Sequence, residues 1–449
     1  MTASHVRLQV FRRFDRPQQV TSRYPSAQAT CLQNEGVRCF EVSARAGVGM
    51  GKRFRSVAKP LVVCIAIYWI RLIRLFATKR THSTCNTVSV IGFLDSASGL
   101  GSAGRGVAEA ILEWDPRQIS ISRLSPSSRV LAAKCSNRSV KPTNRLAGMN
   151  AIHIYNPDVF AALMLHYGPQ MLTAYDRNLA VINWETERLP LRWKAILDCY
   201  DILAAPSAFT AAAVHRGTGR TVHIIPNHVP LRPLRNRAKA DPHFHFLVVC
   251  DALSSLCRKN TLGAVHAFAA GVAQLPIGLT AELIIKCHAH TPTRVKDSWR
   301  SAAGAASVRV IADTLSAQEM ECLWHETDCL VSLHRSEGFG MPAAEALARG
   351  IPVIASRQGG VIDFANDDTC YFVDGDVYEG VDYCGVYDEC SGWIEPRICE
   401  AAQFIATVAM SYRNATDKAR LGREVIACRL NDSVVKEAII LALSSCGGS

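Results

Sequence analysis

The chain has 449 residues, of which 49% are apolar, and it carries a formal net charge of +11. That length exceeds one ordinary domain, so we expect about two domains and an extension. The basic excess lies in the stretch from Met1 to Arg80, which holds 15 lysines and arginines against three acids, while the rest of the chain is nearly neutral. A folded body without a basic surplus argues against a nucleic-acid-binding protein, and no nucleic acid partner is expected.

The 17 cysteines are scattered singly, and no CxxC pair occurs. This usage is typical of reduced thiols in the cytoplasm, because disulfide frameworks belong mainly to short secreted chains. Cys287, His288 and His290 stand together in KCHAH and could hold a metal ion. The same sequence is also typical of a strand that ends in a loop, and we favour that interpretation over a metal site.

The stretch before the first predicted strand reads as an extension with two parts. Residues 1–56 have scattered arginines and little periodicity, which predicts disorder. Residues 57–82 contain an apolar run from Leu61 to Ile70, followed by Arg71 and Arg74. The run is too short for an ordinary membrane-spanning helix, which needs about 20 residues. A short apolar body with a basic flank favours a helix at an anionic membrane surface, with a packed helix or a marginal span as alternatives. We therefore expect a peripheral protein at the cytoplasmic face of the membrane.

From residue 87 onward, short apolar runs alternate with amphipathic ones, as in βα units on a parallel sheet. The first series of predicted strands covers 87–94, 151–156, 179–184, 201–207 and 222–227. The second series covers 244–251, 281–287, 308–313, 329–334, 352–356 and 370–374. Helical patterns lie between most of the strands, for example over 260–274 and 316–325. The fold class is therefore α/β, with two parallel-sheet halves that face a central cleft.

A proline-rich stretch, PNHVPLRPLRNRAKADP, separates the two series and predicts a linker between them. Ligands of such sheets bind beyond the carboxyl ends of the strands, so the loops that follow the strands are the candidate site. The predicted divisions are a disordered extension over 1–56, a membrane-associating helix over 57–82, a first α/β domain over 83–230, a linker over 231–242, a second α/β domain over 243–430, and a terminal helix and tail over 431–449.

The stretch HRSEGFGMPAAEALARGIPVIAS, residues 334–356, reads as strand end, loop, helix and strand. Pro342 suits the first turn of the helix, and Gly338 and Gly340 let the backbone approach a ligand closely. Free N–H groups at a helix start form a seat for phosphate. Carboxylates next to phosphate would repel it, so Glu337 and Glu345 should serve neighbouring hydroxyl groups. A sugar nucleotide has this layout of hydroxyls around a diphosphate.

This stretch resembles the paired-glutamate motif of the retaining family-4 glycosyltransferases, in which a glutamate is followed after seven residues by a second glutamate. The resemblance covers roughly residues 87–430 and implies the GT-B fold of two facing Rossmann-like domains. It implies that the domain over 83–230 is on the acceptor side and that the domain over 243–430 binds the nucleotide sugar. It implies that Glu337 contacts the donor sugar near its reacting carbon, as the catalytic residue, and that Glu345 holds the ribose hydroxyls. The diphosphate is then expected against the backbone of Gly338, Phe339, Gly340 and Met341.

Other stretches fit the same family. Lys259, with Arg258 beside it, matches the family lysine that meets the donor phosphates, while the family arginine a few residues earlier has no clear counterpart. The glycine-rich stretch 96–111, which includes Gly101, resembles the cleft-facing loop after the first strand. In NWETERLP, Trp184 could stack on an acceptor sugar and Glu185 could bind its hydroxyls; a structural tryptophan at a strand end is an equal alternative.

GLGSAG also matches the GxGxxG pattern of NAD-binding proteins. Two features weigh against NAD: the glycines come several residues after the strand, and the next strand-like run, 119–125, has no acid for a ribose. We favour a transferase that moves a hexosyl group from a nucleotide-diphosphate sugar to a saccharide or lipid-linked acceptor with retention of configuration, in polysaccharide or glycoconjugate synthesis. No cofactor or metal is expected. The alternatives are a catalytically degenerate nucleotide-sugar-binding or scaffold protein, and an inverting or epimerising relative.

Overall fold

The structure is a computed structural model. It describes residues 61–73, 88–94, 96, 99–112, 119–123, 150–235, 241–251, 254–382, 387 and 391–445. All the described residues belong to one compact unit, Phe54–Ser449. The predicted disordered extension over 1–56 lies outside the described residues, as do the flanks of the predicted membrane-associating segment.

The first half of the unit is built on a six-stranded parallel sheet in the order β2-β1-β3-β4-β5-β6. Its strands are short, and β1, β3, β4 and β5 are mostly buried, as expected for strands covered on both faces. The six strands are β1 Val88–Gly92, β2 Ile119–Arg123, β3 Asn150–Ile154, β4 Arg177–Val181, β5 Ile202–Ala205 and β6 Val222–Ile224.

Helices cover both faces of this sheet. They are α1 (residues 61–73), α2 Gly99–Leu112, α3 Phe160–Tyr167, α4 Gln170–Thr173, α5 Trp193–Leu197 and α6 Ala208–Thr218, with a 3-10 turn at Pro157–Val159. Successive strand residues point to opposite faces and so enter different cores. Ile91 and Ala180 pack with α1, α3 and α5, whereas Val90 and Val181 pack with α2 and the last helix of the chain.

The second half has its own six-stranded parallel sheet, in the order β12-β11-β10-β7-β8-β9. Its strands are β7 His243–Val249, β8 Thr280–Lys286, β9 Ser307–Ile311, β10 Cys329–Ser332, β11 Val353–Ser356 and β12 Tyr371–Val373. Its helices are α7 Leu256–Lys259, α8 Thr261–Val272, α9 Thr293–Ala303, α10 Ala317–Glu326, α11 Met341–Leu347, α12 Ile398–Met410 and α13 Tyr412–Arg429, with a 3-10 helix at Gly359–Asp363. This arrangement agrees with the predicted second series of strands and helices.

The last helix, α14 (Asp432–Ser444), packs on the first half of the molecule. Val435, Ile439 and Ala442 lie in the same core as Val90. The Arg177 guanidinium at the start of β4 donates a hydrogen bond to the Leu443 carbonyl at 2.6 Å. The chain therefore returns to its first half after completing the second.

Two local predictions differ from the structure. The sequence VDGDVY favours a turn, but Gly375–Val377 forms strand β13, which pairs antiparallel with β14, Ile394–Pro396. The glycine-rich stretch 96–111 predicts a loop, yet α2 begins at Gly99 and contains Gly101. A side chain at Gly101 would lie 3.1 Å from the Phe93 carbonyl oxygen, so the glycine permits the helix to start tightly against the end of β1.

Helix α1 contributes to the core of the first half and also exposes apolar side chains. Ala66, Ile67 and Ile70 are buried in the core below the first sheet. The opposite face carries exposed apolar residues, namely Leu61, Ile65, Tyr68, Trp69 and Ile73. Among the described helices, none combines the length and hydrophobicity that crossing a membrane requires.

Candidate active site

The predicted donor loops meet at one edge of the second sheet. Lys259 lies in the connection after β7, and Glu337 lies in the connection after β10. Strands β7 and β10 are parallel neighbours, so their carboxyl ends bring the two loops together, where ligands of such sheets bind. The Arg335 N–H donates to the Arg258 carbonyl at 2.8 Å, which joins the loops directly.

The glycine-rich turn before α11 touches the first half of the molecule. The Gly338 carbonyl accepts hydrogen bonds from Ser207 Oγ at 2.5 Å and from Thr210 Oγ1 at 3.2 Å. A Cβ atom on Gly338 would lie 2.6 Å from the Trp184 carbonyl oxygen. No larger residue fits here without movement of the backbone, so this glycine allows the two halves to meet.

The rest of the turn leads directly into the short helix α11. Gly340 has φ of +94°, in the left-handed region that favours glycine. Phe339 is buried beside Phe364, and Met341 is the first residue of α11 and is partly exposed. In the loop predicted to bind the diphosphate, Gly338 therefore permits a close approach of another main chain, and Gly340 permits a positive φ.

Glu337 is held by two cations. Its Oε2 atom lies 2.5 Å from Lys259 Nζ and 3.2 Å from Arg258 Nη1. Burial alone would raise the pKa of Glu337, but the charges of Lys259 and Arg258 outweigh burial and hold this pKa well below its usual range. Glu337 is therefore a carboxylate at every physiological pH.

Arg258 occupies a different position from the one that the sequence suggests. Its side chain is 1% exposed, and Nη1 donates to the Ser336 carbonyl at 2.8 Å while Nη2 donates to Ser254 Oγ at 2.6 Å. The guanidinium is therefore inside the protein rather than on a surface that a phosphate could reach. Lys259, whose side chain is 15% exposed, is the more accessible of the two predicted phosphate ligands.

The acceptor-side residues Trp184 and Glu185 lie against the donor loops. Glu185 Oε2 accepts a hydrogen bond from the Tyr387 hydroxyl at 3.0 Å, and its Oε1 lies 4.0 Å from Arg258 Nη2. Burial raises the pKa of Glu185, and the nearby Arg258 charge opposes that rise. The Ser336 hydroxyl donates to the Glu185 main-chain carbonyl. The structure thus brings the predicted acceptor carboxylate next to the predicted catalytic one.

Trp184 is part of an aromatic cluster. Its ring centroid lies 4.6 Å from that of Trp193 and 5.3 Å from that of Tyr387. Its indole N–H donates to Thr186 Oγ1 and to the Arg188 carbonyl, each at 2.8 Å. These contacts favour the structural alternative for Trp184, because two aromatic rings pack against its ring and its N–H is used.

Glu345 lies on α11, where arginines from several elements influence it. Burial raises its pKa, and Arg349, Arg232 and Arg105 oppose that rise. Arg105 belongs to α2 of the first half, so the start of α2, with Gly101, faces the same region as Glu345. The Glu345 carbonyl accepts a hydrogen bond from Arg349 Nη1 at 2.8 Å.

Sequence reasoning missed several side chains that complete the site. His334 donates from Nε2 to the Gln358 carbonyl at 2.9 Å and accepts from Ser332 Oγ at Nδ1. Its burial lowers the pKa to about 4. Asp363 accepts a hydrogen bond from the Ala208 N–H at 2.6 Å, across the boundary between the halves. His334 begins the stretch 334–356 and Asp363 follows it in the chain, but the spacing of these stretches assigns no role to either side chain, so only the fold reveals their contacts.

Tyr387 is the most important of the missed residues. It lies between β13 and β14, in the stretch 375–397. That stretch is acidic and aromatic and lacks clear periodicity, so the sequence by itself predicts only an insertion or lid near the donor cleft. Its ring packs against Trp184 and Trp393, and the Arg258 guanidinium lies 6.0 Å from the ring centre. The unusual aromatic content of 375–397 was the available signal.

Possible metal ligands occur away from this site. His245, Glu282 and Glu326 lie close together near the amino ends of β7 and β8, and Arg309 forms ion pairs with both glutamates. An arginine therefore already supplies positive charge where a cation would bind. In KCHAH, the His288 and His290 rings stack with centroids 4.9 Å apart, at the end of β8 as the non-metal interpretation expects.

Known proteins resemble this chain at the level of sequence. Residues 207–385 match a family described as "Family 4 Glycosyltransferase in conflict systems". A curated relative, the MMP alpha-(1->4)-mannosyltransferase of Mycolicibacterium hassiacum, is 23% identical over 256 residues, which are 54% of this chain and 59% of the relative. The chain thus matches less than two thirds of that relative's length.

Solved structures resemble it at the level of fold. HepE of Anabaena, in complex with UDP and glucose, superposes with a TM-score of 0.53 at 12% identity over 80% of this chain and 100% of HepE. TarM, of S. aureus, superposes with a TM-score of 0.50 at 13% identity over 66% of this chain and 55% of TarM. Together with the two parallel sheets, these comparisons confirm the predicted GT-B fold and the predicted resemblance to the family-4 glycosyltransferases.

Proposed function

We propose that the protein transfers a hexosyl group from a nucleoside-diphosphate sugar to an acceptor hydroxyl, with retention of the anomeric configuration. The observation that carries this proposal is the cluster of Lys259, Glu337 and the glycine turn before α11 at the carboxyl edge of the second sheet. The cation and the main-chain N–H groups of the glycine turn would bind the diphosphate, and the carboxylate would bind hydroxyls of the sugar.

The chemistry follows from where charge develops. As the bond between sugar and diphosphate breaks, negative charge grows on the departing diphosphate, and the Lys259 ammonium together with the N–H groups at Gly340 and Met341 would stabilise it. Glu337, which stays ionised, would bind hydroxyls of the sugar and oppose the positive charge that develops at the anomeric carbon. Glu345 would bind the ribose hydroxyls. These roles rest on the family resemblance and on the positions of the residues.

The donor class is supported by the neighbours in fold. HepE was crystallised with UDP and glucose, and we propose a UDP- or GDP-sugar as the donor here. The acceptor is proposed to be a saccharide or a lipid-linked saccharide in polysaccharide or glycoconjugate synthesis, bound by Glu185 on the side of the first half. We propose no cofactor or metal.

We also propose that α1 attaches the protein to the cytoplasmic face of a membrane. The outward face of α1 exposes half or more of Leu61, Tyr68 and Trp69, and exposed apolar stripes of this kind commonly mark interaction sites. Arg71 on the same helix is also exposed, and the sequence continues with Arg74, Lys79 and Arg80. Apolar side chains beside basic ones fit an anionic lipid surface.

A second candidate is a degenerate protein that binds a nucleotide sugar without transferring it. The observation in its favour is the burial of Arg258, since a predicted phosphate ligand is inaccessible in this conformation. Both candidates predict that a nucleotide sugar binds. Only the transferase predicts turnover, so turnover distinguishes them.

The test combines binding with turnover. The purified protein is incubated with UDP-glucose, UDP-N-acetylglucosamine and GDP-mannose, and both the melting temperature and the release of UDP or GDP are measured. A donor that binds should raise the melting temperature by linkage, and a transferase should also release the nucleotide slowly into water. Proton NMR of the fresh product distinguishes retention from inversion. Stabilisation without release by any donor would favour the degenerate protein.

A further inference from the structure

The described residues 375–382, 387 and 391–396, here called the flap, begin with β13 and end with β14. The flap is fixed to the donor loops at several points. Arg335 Nε donates to Glu395 Oε2 at 2.7 Å, and the Ser255 hydroxyl donates to Asp382 Oδ1 at 2.7 Å. The second oxygen of the Asp382 carboxylate accepts from the Tyr387 N–H at 3.0 Å. Tyr387 is thereby anchored to the loop that carries Arg258 and Lys259.

The flap also contacts the first half of the molecule. The Tyr387 hydroxyl donates to Glu185 Oε2 at 3.0 Å, and the Glu187 N–H donates to the Ser391 carbonyl at 3.1 Å. The Tyr387 ring packs on Trp184. The flap therefore contacts the segment that follows β4 at two points, the Glu185 side chain and the Glu187 main chain.

The two oxygens of Glu185 have different surroundings. Oε2 is occupied by the Tyr387 hydroxyl. Oε1 faces Arg258 Nη2 at 4.0 Å, which is beyond hydrogen-bond distance. Among the described residues, no hydrogen bond to Oε1 is present, so this oxygen can accept one from an incoming hydroxyl. The Tyr387 contact determines which way that oxygen points.

We propose that Tyr387 is a positioning residue, which holds the Glu185 carboxylate so that its free oxygen receives the attacking hydroxyl of the acceptor. This inference rests on the proposed glycosyl transfer and assigns a part of it to the flap. As the acceptor oxygen bonds to the anomeric carbon, the bond from that carbon to the diphosphate breaks, and the proton of the attacking hydroxyl passes to the Glu185 carboxylate. The hydroxyl that attacks can come from a saccharide or from water, since both bind a carboxylate oxygen in the same way.

The electrostatics agree with this role. Burial raises the pKa of Glu185, Arg258 opposes that rise, and the neighbouring Glu337 carboxylate adds to it. The Tyr387 hydroxyl, by donating to the carboxylate, lowers this pKa, as does the Lys259 charge. Removing that hydroxyl should raise the pKa of Glu185 further, so the carboxylate form would be lost at a higher pH. A contact that only held the fold together would not move a pH profile.

The test uses Tyr387→Phe, which keeps the ring and removes the hydroxyl. Its matched control is Tyr378→Phe in the same flap, because the Tyr378 hydroxyl donates to the Val381 carbonyl and lies 3.5 Å from Cys257 Sγ, so this variant also removes a hydroxyl that joins the flap to the donor loop. Nucleotide release from UDP-glucose, UDP-N-acetylglucosamine and GDP-mannose is measured from pH 5 to pH 9. For Tyr387→Phe we expect kcat to fall about tenfold, donor KM to change less than about twofold, and the acid limb to move to higher pH. Tyr378→Phe should match the wild type.

Glu185→Gln provides a second readout that does not depend on the tyrosine. Its amide oxygen still accepts from the Tyr387 hydroxyl, and the acid limb of the profile should disappear. If the wild type is active and Tyr387→Phe has the same kcat and the same pH profile as Tyr378→Phe, this inference is overturned while the proposed function stands. A wild type that releases no nucleotide from any of the three donors would overturn the proposed function itself.

Discussion

Lys259 Nζ lies 2.5 Å from Glu337 Oε2, so the predicted phosphate ligand is ion-paired with the predicted catalytic carboxylate. A diphosphate that binds Lys259 must compete with Glu337 for the same ammonium group. Glu337 would remain beside the buried Arg258 throughout. Binding of the donor phosphates and release of the carboxylate toward the sugar are therefore coupled.

Lys259→Met should weaken nucleotide binding, because it removes the accessible cation. We expect the Kd for UDP or GDP, measured by titration calorimetry, to rise about 10- to 100-fold, which corresponds to roughly 1.4–2.7 kcal/mol. Lys296→Met, on α9 of the same half, is the control and should bind like the wild type. Unchanged affinity in Lys259→Met would remove Lys259 from the phosphate site.

Glu337→Gln should abolish turnover and spare binding. The substitution keeps the shape of the side chain but removes the charge that faces the sugar, so we expect nucleotide release to fall at least about 100-fold. Glu345→Ala is the contrasting variant, since the loss of a ribose contact should chiefly raise the nucleotide Kd. If Glu337→Gln retained full turnover, its assignment as the catalytic residue would be wrong.

Gly338→Ala should destabilise the contact between the two halves. Its new Cβ atom would lie 2.6 Å from the Trp184 carbonyl oxygen, so one of the two loops must move, at a cost of about 1–3 kcal/mol. Urea unfolding measures that loss, and nucleotide release should fall with it. Gly99→Ala is the matched control: no described heavy atom lies within 4 Å of its ideal Cβ, and its stability should be equal to or above that of the wild type. Equal stability of both variants would contradict close contact at Gly338.

His334 should make stability depend on pH in the acid range. Its folded-state pKa of about 4 lies below the ordinary value of 6.5 because the ring is buried. The unfolded chain therefore binds a proton that the folded protein excludes, and stability falls as the pH drops below 6.5 toward 4. The contribution between pH 7 and pH 5 is about 2 kcal/mol. Urea unfolding of the wild type and of His334→Gln at both pH values measures the contribution of His334. Equal pH dependence of the free energy of unfolding in the two proteins would refute this prediction.

The membrane proposal is tested on α1. Full-length protein is sedimented with vesicles of phosphatidylcholine alone or of phosphatidylcholine mixed with anionic phosphatidylglycerol, in the wild type and in Tyr68→Glu/Trp69→Glu. Both side chains are at least half exposed, so the variant should fold normally and lose most of its binding to anionic vesicles, by roughly tenfold or more. Leu165→Glu, at another exposed apolar position, is the control. Wild type that stays in the supernatant with both vesicle types would end the proposal.

The sheets of both halves could be predicted because parallel, doubly covered strands appear in the sequence as short continuous apolar runs. The glutamate motif could also be predicted, since its glycines, proline and carboxylates lie within one loop and helix. In both cases the determining residues are near one another in the chain.

The remaining features depend on contacts between distant segments. The burial of Arg258 requires Glu185 and Tyr387, which belong to segments far before it and far after it in the chain. Strand β13 forms only because β14 pairs with it after an interval of irregular sequence. The start of α2 at Gly99 depends on how closely it packs against the end of β1. No local pattern carries this information.

The return of α14 to the first sheet has a consequence for how the protein forms on the ribosome. Domains commonly fold as they emerge during translation, the earlier one first. Here Val435, Ile439 and Ala442 of α14 belong to the core of the half that is synthesised first. One side of that core therefore stays uncovered until α14 has been synthesised. The core of the first half is therefore completed only after the second half has been synthesised, and a ribosome-stalled or truncated chain that ends before Asp432 would expose an unfinished core.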